Sequence, residues 1–491
     1  MPTKSQQIAD RVNNIRAVSD FNSVQLAVDW ANTNNQALYW DEVYTVTGNV
    51  QNFHEVKHFG PGGVTRGGNT WYVEGKESTA RTLYVLNTGS DTNDGLDSSY
   101  PLASEQYGLN ALQKIHNVDG ETATIQMVTG HQYSTVISLQ DVDLSWVTIS
   151  SDDATVTANP ALGNSDHLFL CWNGHAPVWN VLLDANGEGN YGFNFQRGAV
   201  GRIEAGKGMI NTYGRTLYVN NGSYVEASDG VFTGSGSVAT GGLSRGAWVA
   251  RGSTLICERA DFSDSVGIGI YVSRASTVHA MGLIAENCGA QAVWVHRSSR
   301  LTAHSVAGAN VSLSSTSSSV AAVVRVARTS SVSLNADGGG TVTITQNAAT
   351  EGVEVVSCSS VNVNSATITG NTTTSTEGIS AGTGAVVDAS SCSITGFIDG
   401  ISVNGGSVYA NLCSIQNNSR YGVLCTRGSE VHVASGTVSS NGVGQDITVT
   451  RGGKVVADGC TTTNGVGAPD IATDTNFSVK DAWDANGVIF A

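Results

Sequence analysis

Hydrophobic and polar residues alternate with a period of two along most of the chain, in short runs that end at turns rich in glycine, serine or asparagine. A strand with one buried face requires this period, and helical periodicity is absent through the central region. In the runs 225–227 and 255–257 the aliphatic, alanine and cysteine positions are predicted to point inward, whereas Glu226, Ile256 and Glu258 point outward. The pattern therefore predicts many short strands, each buried on one face.

The runs recur at nearly constant steps, which is typical of a solenoid. Segments that begin at Trp248, Tyr271 and Trp294 align without gaps at two successive steps of 23, and segments that begin at Ile203 and Val225 align at a step of 22. Coils of this size, built from short strands, predict an all-β chain folded as a right-handed parallel β-helix. An aliphatic residue after each turn marks the predicted inward position of twelve coils: Val178, Ile203, Val225, Leu255, Val278, Leu301, Val332, Val361, Val386, Val408, Val431 and Val455.

Repeated asparagines and the cysteines are interpreted as structural. Asn418, Asn441 and Asn464 recur at steps of 23, as do Asn287 and Asn310. Asparagine at a turn tolerates the left-handed conformation and can stack in a ladder. None of the eight cysteines forms a C-x-x-C pair, so most are predicted to be small core residues.

The N-terminal part has a different pattern. A helix is predicted from a cap at Ser19 or Asp20 through Ala31, because serine and aspartate are good N-cap residues. Residues 37–40 and 44–47 are predicted strands. A solenoid needs a cap over its first open core, and this small α/β segment is predicted to supply it.

The sequence here resembles the opening of the pectate-lyase-like parallel β-helices of phage tailspikes. The resemblance rests on residues 21–31 (FNSVQLAVDWA), 37–40 (ALYW) and 44–46 (YTV). Residues 83–96 (LYVLNTGSDTNDGL) are similar to a second opening common in β-helix surface proteins. With the coils, the resemblance covers roughly residues 20–470. It departs at the C-terminus, where residues 471–491 replace the larger trimerising or lectin-like domain of many tailspikes.

The resemblance implies a homotrimeric virion tailspike or tail fibre that recognises a host surface polysaccharide and, as a depolymerase, cleaves it. A non-catalytic fibre that binds the same polymer and a bacterial surface adhesin are the alternatives. The implied organisation is an arm at 1–20 that attaches to a virion tail or adaptor protein, a cap at 21–118, the β-helix at 119–470 and a terminal segment at 471–491. The implied location is the virion tail, and the extracellular space after release.

Charge and hydropathy narrow the class of partner. The net charge of -16 disfavours nucleic acid, which a strongly acidic chain repels. No run approaches the ~20 apolar residues of a membrane span, and residues 1–20 lack the apolar core of a secretory signal. No cofactor is predicted. The oxygen-rich loop 91–95 is compared with a calcium site, but it lacks the full EF-hand spacing, so no metal is predicted and a solvated turn is favoured.

Outward residues of the repeats at a step of 23 form the first candidate site. Aromatic rings on adjacent coils would lie about 5 Å apart and offer a platform for sugar rings, while arginines at the strand end could bind a carboxylate-bearing polymer. Packing of the same column against another subunit is the alternative. The candidate glycan-binding residues are Trp248, Tyr271, Trp294, Arg251, Arg274, Arg297 and His296.

A second candidate site is a set of carboxylates. Glycoside hydrolysis needs two carboxyl groups about 5–9.5 Å apart. The alignment at a step of 22 predicts that Glu204 and Glu226 share an outward position on adjacent coils, with Asp229 assisting. Chance stacking of acidic residues is the alternative. A β-elimination lyase would instead use a base with the arginine column.

Overall fold

The computed structural model describes residues 15–67, 69–73, 81–114, 122–163, 166–236, 244–316, 322–336, 339–348, 350–371, 374–442, 446–463, 466–467, 482–484 and 487–490. The protein is all-β, with 7% helix, and its main body is a parallel β-solenoid of about 17 turns. The predicted fold class and parallel coils are confirmed, whereas the right-handed sense stays a prediction. Within the described ranges, no helix has the length and apolar character needed to cross a membrane.

Three parallel sheets run along the solenoid, and neighbouring strands in each sheet come from consecutive coils. Each residue therefore lies opposite its counterpart one coil away, at about the 4.8 Å spacing of paired strands. The first sheet presents the longest outward rows of aromatic and charged residues. Its strands are Ile137–Asp143, Phe169–Asn180, Tyr191–Gln196, Arg215–Asn220, Arg245–Ala250, Ile268–Ser273, Val293–His296, Val324–Ala327, Val353–Val356, Glu377–Ala381, Asp399–Asn404, Tyr421–Thr426, Ile447–Thr450 and Val466–Gly467.

The second sheet follows the first across a tight turn, and the long strand Phe169–Asn180 belongs to both. Its first strand is Arg81–Val85, so coil formation begins before the predicted start at residue 119. The other strands of this sheet are Ala123–Met127, Val147–Ser151, Val200–Ile203, Tyr224–Glu226, Thr254–Ile256, Thr277–His279, Arg300–Thr302, Ser331–Ser333, Ser360–Asn362, Val386–Asp388, Ser407–Tyr409, Glu430–His432, Gly453–Val456 and Gly487–Phe490.

The third sheet closes each coil, and single bridges at Val231 and Asp261 connect its two halves. Its outward positions are mostly serine and threonine, so it carries little charge. Its strands are Gln132–Tyr133, Val156–Ala158, Leu182–Asp184, Gly208–Ile210, Ile284–Cys288, Val311–Ser315, Val342–Gln346, Thr367–Thr369, Ser393–Thr395, Ser414–Gln416, Thr437–Ser439 and Thr461–Thr462.

The predicted inward column is confirmed for nine of its twelve members. They lie in unbroken register on the second sheet, with a valine at 387 completing the column, and all are at most 3% exposed. The confirmed members are Val225, Leu255, Val278, Leu301, Val332, Val361, Val408, Val431 and Val455.

Two predicted markers were wrong, and a third lies inward but at a different position of its coil. Val386 is 45% exposed, because its neighbour Val387 takes the inward position. Val178 points outward beside the buried Trp179. Ile203 is buried, but the counterpart of Val225 is Gly201. A Cβ at Gly201 would lie 2.3 Å from Phe195 Cε1, so that aromatic ring fills the space that an aliphatic side chain occupies in other coils.

A buried serine ladder supports the turn between the first and second sheets. The backbone N–H of each of the first five serines donates to the Oγ of the serine one coil later, at 3.2–3.3 Å. Buried polar groups need such partners, so the ladder fixes the backbone directly after the turn. The six serines are Ser223, Ser253, Ser276, Ser299, Ser330 and Ser359.

The asparagine prediction is confirmed in part. Asn418 Nδ2 donates to Asn441 Oδ1 at 2.9 Å, and both side chains are buried. Asn464 lies outside the described residues. Asn287 has the predicted left-handed backbone, with a φ of 54°, but it does not stack on Asn310, because the coil is longer at this point and the third sheet pairs Ile284 with Ser312.

The cysteine prediction is confirmed for seven of the eight thiols. All eight are free, and only Cys358 is exposed. Cys392 and Cys413 occupy matching positions before the paired strands Ser393–Thr395 and Ser414–Gln416. Each of these two thiols donates to a backbone carbonyl of the preceding coil. They therefore act as small core residues with a weak hydrogen bond.

The N-terminal cap contains a helix and two small sheets. The helix Val24–Asn34 begins later than predicted, because Ser23 is its N-cap and its Oγ accepts from Leu26 N at 3.2 Å. The predicted strands are present at Ala37–Tyr39 and Val43–Thr45. The remaining strands of the cap are Ile15–Ala17, Lys57–Phe59, Gly63–Arg66 and Asn69–Tyr72. A second helix, Glu105–Gln113, packs beside the first coils, and short 3-10 turns lie at Val18–Asp20, Phe53–Glu55 and Pro160–Leu162.

The loop compared with a calcium site is a structural junction. Asp94 is fully buried and forms an ion pair with Arg66, while its Oδ2 also accepts from Val50 N at 2.7 Å. Asp91 caps the second helix by accepting from Ala103 N and from Ser104 N and Oγ. The favoured solvated turn was therefore wrong, since these carboxylates join the cap to the solenoid.

The last described residues extend the second sheet. Strand Gly487–Phe490 pairs in parallel with Gly453–Val456 and antiparallel with Ala482–Asp484. Residues 468–481, which include residues 471–481 of the predicted terminal segment, lie outside the described residues.

The serine ladder generates a stability prediction. Replacing Ser276 with alanine removes the acceptor for Ser253 N–H and leaves a buried donor unpaired, so we expect the free energy of unfolding to fall by about 1–3 kcal/mol. Denaturant unfolding measures this. The matched control is Ser360→Ala at an exposed position, for which we expect a change within about 0.5 kcal/mol. Equal effects of the two substitutions would contradict a supporting role for the ladder.

Candidate functional site

The predicted aromatic column is present on the outer face of the first sheet. Trp248 lies opposite Tyr271, and Tyr271 lies opposite Trp294, so the ungapped alignment of these segments gave the correct register. Tyr218, one coil earlier, extends the column. Successive ring centroids are 4.7, 5.8 and 4.9 Å apart along these four residues. We call Tyr218, Trp248, Tyr271 and Trp294 the aromatic column.

Two arginines that sequence reasoning missed lie against these rings. Arg215 and Arg245 occupy an outward position three residues before Tyr218 and Trp248. The guanidinium carbons of both lie over the Trp248 ring, at 4.6 and 4.7 Å from its centroid, and Arg245 also lies 4.8 Å from the Tyr271 ring. A cation over an aromatic face is attractive, so the rings fix the position of the charges. We call Arg215 and Arg245 the arginine pair.

The predicted arginine column lies at the turn that ends the same strands. Arg251, Arg274 and Arg297 are exposed and have left-handed φ angles of 56°, 59° and 57°. Backbone hydrogen bonds from Gly252 N to Arg274 O and from Ala275 N to Arg297 O place them on adjacent coils. Arg328 adds a fourth member, through a bond from Ser298 N to Arg328 O. We call Arg251, Arg274, Arg297 and Arg328 the arginine row.

His296 lies between the aromatic column and the arginine row. It is 7% exposed, and its ring centroid lies 5.7 Å from that of Trp294. Burial, reinforced by Arg328, Arg297 and Arg325, lowers the pKa of His296 to about 4. The imidazole is therefore neutral at pH 7, with one N–H available as a donor.

Several buried polar atoms on this face have no hydrogen-bond partner among the described residues. They share a position beside the aromatic rings, and each buried polar atom left unpaired costs about 1–3 kcal/mol. Asn220 is only 3% exposed, so solvent reaches very little of its side chain. The unpaired atoms are Arg215 Nε, Asn220 Oδ1, Arg245 Nε and Nη1, Trp294 Nε1 and His296 Nδ1. Each such group calls for a partner that the described residues do not supply, whether water or a ligand.

The predicted pairing of Glu204 with Glu226 was wrong. Glu226 lies opposite Arg202, and Glu204 forms an ion pair with that same arginine, with Nε and Oε1 3.1 Å apart. Gly201 lies opposite Val225, so the true step at this point is two longer than the predicted one. A slip of two positions keeps every side chain on its own face, so alternation of inward and outward residues could not reveal the error.

Asp229 is held by an arginine. Its two carboxylate oxygens accept from Arg259 Nε at 2.6 Å and from Arg259 Nη2 at 2.7 Å. The hydrogen bond to Arg259 lowers the pKa of Asp229, so this carboxyl is ionised near neutral pH and cannot donate a proton. Glu204, Glu226 and Asp229 all lie in or shortly after strands of the second sheet. The predicted carboxylates are therefore not on the face of the first sheet that carries the aromatic column.

A different group of carboxylates continues the outward rows of the first sheet. Arg325 lies opposite Trp294, and Glu354 lies opposite Arg325 with Nε and Oε2 3.0 Å apart. Glu377 lies opposite Asp399, and Gly352 N donates to Glu377 O, which places Glu351 in the same row. We call Glu351, Glu354, Glu377 and Asp399 the acidic cluster.

Environment separates the members of the acidic cluster. Burial raises the pKa of both Glu354 and Glu377, and neighbouring carboxylates add to the rise, although Arg325 opposes it at Glu354 and a hydrogen bond with Thr376 opposes it at Glu377. Asp399 is fully buried and accepts from Arg420 Nε at 2.8 Å. Glu354 and Glu377 therefore bind a proton more readily than an ordinary glutamate, whereas the charge of Asp399 is compensated by Arg420. A sequence signal existed, since Glu351, Glu377 and Asp399 each precede a glycine and an aliphatic residue.

The part of the chain that the structure describes contains no group of three histidine, cysteine or acidic residues arranged to hold a metal ion. Comparisons with known proteins found no matching protein-family model and no matching curated protein.

Proposed function

We propose that the protein recognises a host surface polysaccharide through the outer face of the first sheet. The observation that carries the proposal is the aromatic column with unpaired buried polar atoms beside it. Sugars present apolar C–H faces and hydroxyl groups together. Aromatic rings at the spacing of adjacent coils can stack on the C–H faces. Asn220 Oδ1 can accept a hydrogen bond from a hydroxyl group, and the Trp294 N–H can donate one.

Packing of this face against another subunit is the competing interpretation, since tryptophan, tyrosine and arginine are also enriched at interfaces. An interface that buries charges needs them paired, because an unpaired buried charge is strongly destabilising. Among the described residues, neither Arg215 nor Arg245 has a carboxylate within ion-pair distance. The counter-charge must therefore come from outside this part of the chain, and we take an external ligand as its source.

The aromatic column generates a binding prediction. Replacing Trp248 with alanine removes the central ring, and we expect polymer affinity to fall at least about tenfold, as for a residue that dominates an interface. Titration calorimetry with capsule or lipopolysaccharide fragments measures this. The matched control is Tyr409→Ala, which removes a ring 39% exposed and stacked on His432 on the second sheet. Unchanged binding by Trp248→Ala would contradict the proposal.

Depolymerisation of the bound polymer is a second candidate function, and the acidic cluster favours it. Glycoside hydrolysis needs one protonated and one ionised carboxyl group on either side of the scissile bond. Glu354 and Glu377, with raised pKa values, are candidates for the acid. They continue the rows that hold the aromatic column, so a polymer lying along the rod would reach them.

For a hydrolase we expect Glu377→Gln or Glu354→Gln to lower the rate of chain shortening by at least about 10²-fold, the usual contribution of a general acid or base. Polymer size after incubation measures this, and Glu204→Gln is the control with little expected effect. Full activity in both variants would contradict the assignment. An unsaturated sugar among the products would instead favour a lyase that uses the arginine row.

On the resemblance, we further propose that the chain is a homotrimeric virion tailspike attached through residues 1–20, of which residues 1–14 lie outside the described ranges. The outer face of the third sheet, which carries little charge, supports subunit packing. We expect a trimer in sedimentation at micromolar concentration, and a monomer would count against it. Particle assembly with a chain lacking residues 1–20 tests the arm, and unchanged incorporation would contradict that role.

A further inference from the structure

The arginine pair stacks two like charges in one row. Arg215 lies opposite Arg245 on the next coil, at the spacing of paired strands, and both side chains are half-buried. Like charges directly opposite each other in a sheet are destabilising. A pair of this kind needs a counter-charge to be favourable.

The described part of the chain supplies no such counter-charge. Among the described residues, neither arginine has an ion-pair partner, and Arg215 Nε, Arg245 Nε and Arg245 Nη1 have no acceptor. Burial, followed by repulsion from Arg215, lowers the pKa of Arg245 to about 10. The segment 237–243, which precedes Arg245 in sequence, contains no acidic residue.

The guanidinium groups are nonetheless held in place. The Trp248 ring lies beside both, Tyr191 lies 4.7 Å from Arg215, and Tyr271 lies 4.8 Å from Arg245. Guanidinium groups fixed by ring contacts lose little freedom when they bind an anion, and their planar forks match carboxylate and sulfate oxygens. Arg215 Nε, Arg245 Nε and Arg245 Nη1 are themselves buried atoms without a hydrogen-bond partner among the described residues, so the donors of the pair are left for an external acceptor.

We propose that the arginine pair is a subsite for a carboxylate or sulfate substituent, and that the polymer recognised by this face is an acidic polysaccharide. The inference rests on the proposed function and names its substrate class. A chain with a net charge of -16 repels polyanions in general, so selective binding of one requires a local site of this kind.

Two matched polymer pairs test the subsite: dextran sulfate against dextran, and polygalacturonate against its methyl ester. We expect the wild-type protein to bind at least one charged member about tenfold more tightly than its neutral partner. Arg215→Gln and Arg245→Gln should each lose that preference. Arg427→Gln is the matched control, because Arg427 is an exposed turn arginine on a distant coil.

The outcomes separate the two proposals. Binding that depends on Trp248 but shows no preference for charge would overturn the subsite and leave glycan recognition standing. Preference for charge that survives both arginine substitutions would also overturn the subsite. No binding to any of the four polymers would overturn the subsite, whereas glycan recognition is decided by the titration of Trp248→Ala with capsule or lipopolysaccharide fragments.

A stability readout checks the subsite without any polymer. Arg245→Gln removes both a repulsion and the attractive contacts of Arg245 with the Trp248 and Tyr271 rings, so the diagnostic quantity is the effect of sulfate on the unfolding temperature. Added sulfate should raise the unfolding temperature of the wild type more than that of the variant, since only the wild type has the anion site. An equal effect of sulfate on the wild type and on Arg245→Gln would overturn the subsite.

Discussion

Parallel hydrogen bonding between successive coils is the constraint on which the rest of the structure depends. It places each residue about 4.8 Å from its counterpart one coil away, so any side chain is stacked on the side chain that the next coil provides. Inward, this gives the valine and leucine column and the serine ladder. Outward, it turns a repeated aromatic residue into a continuous surface and a repeated charge into a repulsive row.

The outer face of the first sheet uses this constraint in two opposite ways. Its aromatic column and arginine pair are followed, farther along the same rows, by Arg325 and the acidic cluster. Where arginine meets glutamate, as between Arg325 and Glu354, the charges compensate each other. At the arginine pair they do not. Because of that difference, the arginine pair is the region of the first sheet where a bound anion would add most to stability.

The sequence predicted the parts of the structure in which the coil length stays constant. The register of Trp248, Tyr271 and Trp294 was predicted correctly because two consecutive coils have the same length, so the three segments align without gaps. Glu204 and Glu226 were placed wrongly because two coil lengths that differ by two residues leave the same residues facing inward. The alternation of buried and exposed positions therefore could not distinguish the two registers. The acidic cluster was missed because its rows advance by unequal steps, as from Glu377 to Asp399. The unpaired atoms of Asn220 and His296 depend on side-chain packing, which no repeat pattern specifies.

The face formed by the aromatic column and the arginine pair is proposed to be open and to hold a saccharide. Electron cryomicroscopy of the full-length protein in solution, with fragments of an acidic polysaccharide added, tests this central claim most directly. We expect Trp248 and Arg245 to be free of contacts with other copies of the chain, and saccharide density to follow the column from Tyr218 to Trp294. A face buried against a neighbouring copy, or saccharide density confined to another sheet, would contradict the claim.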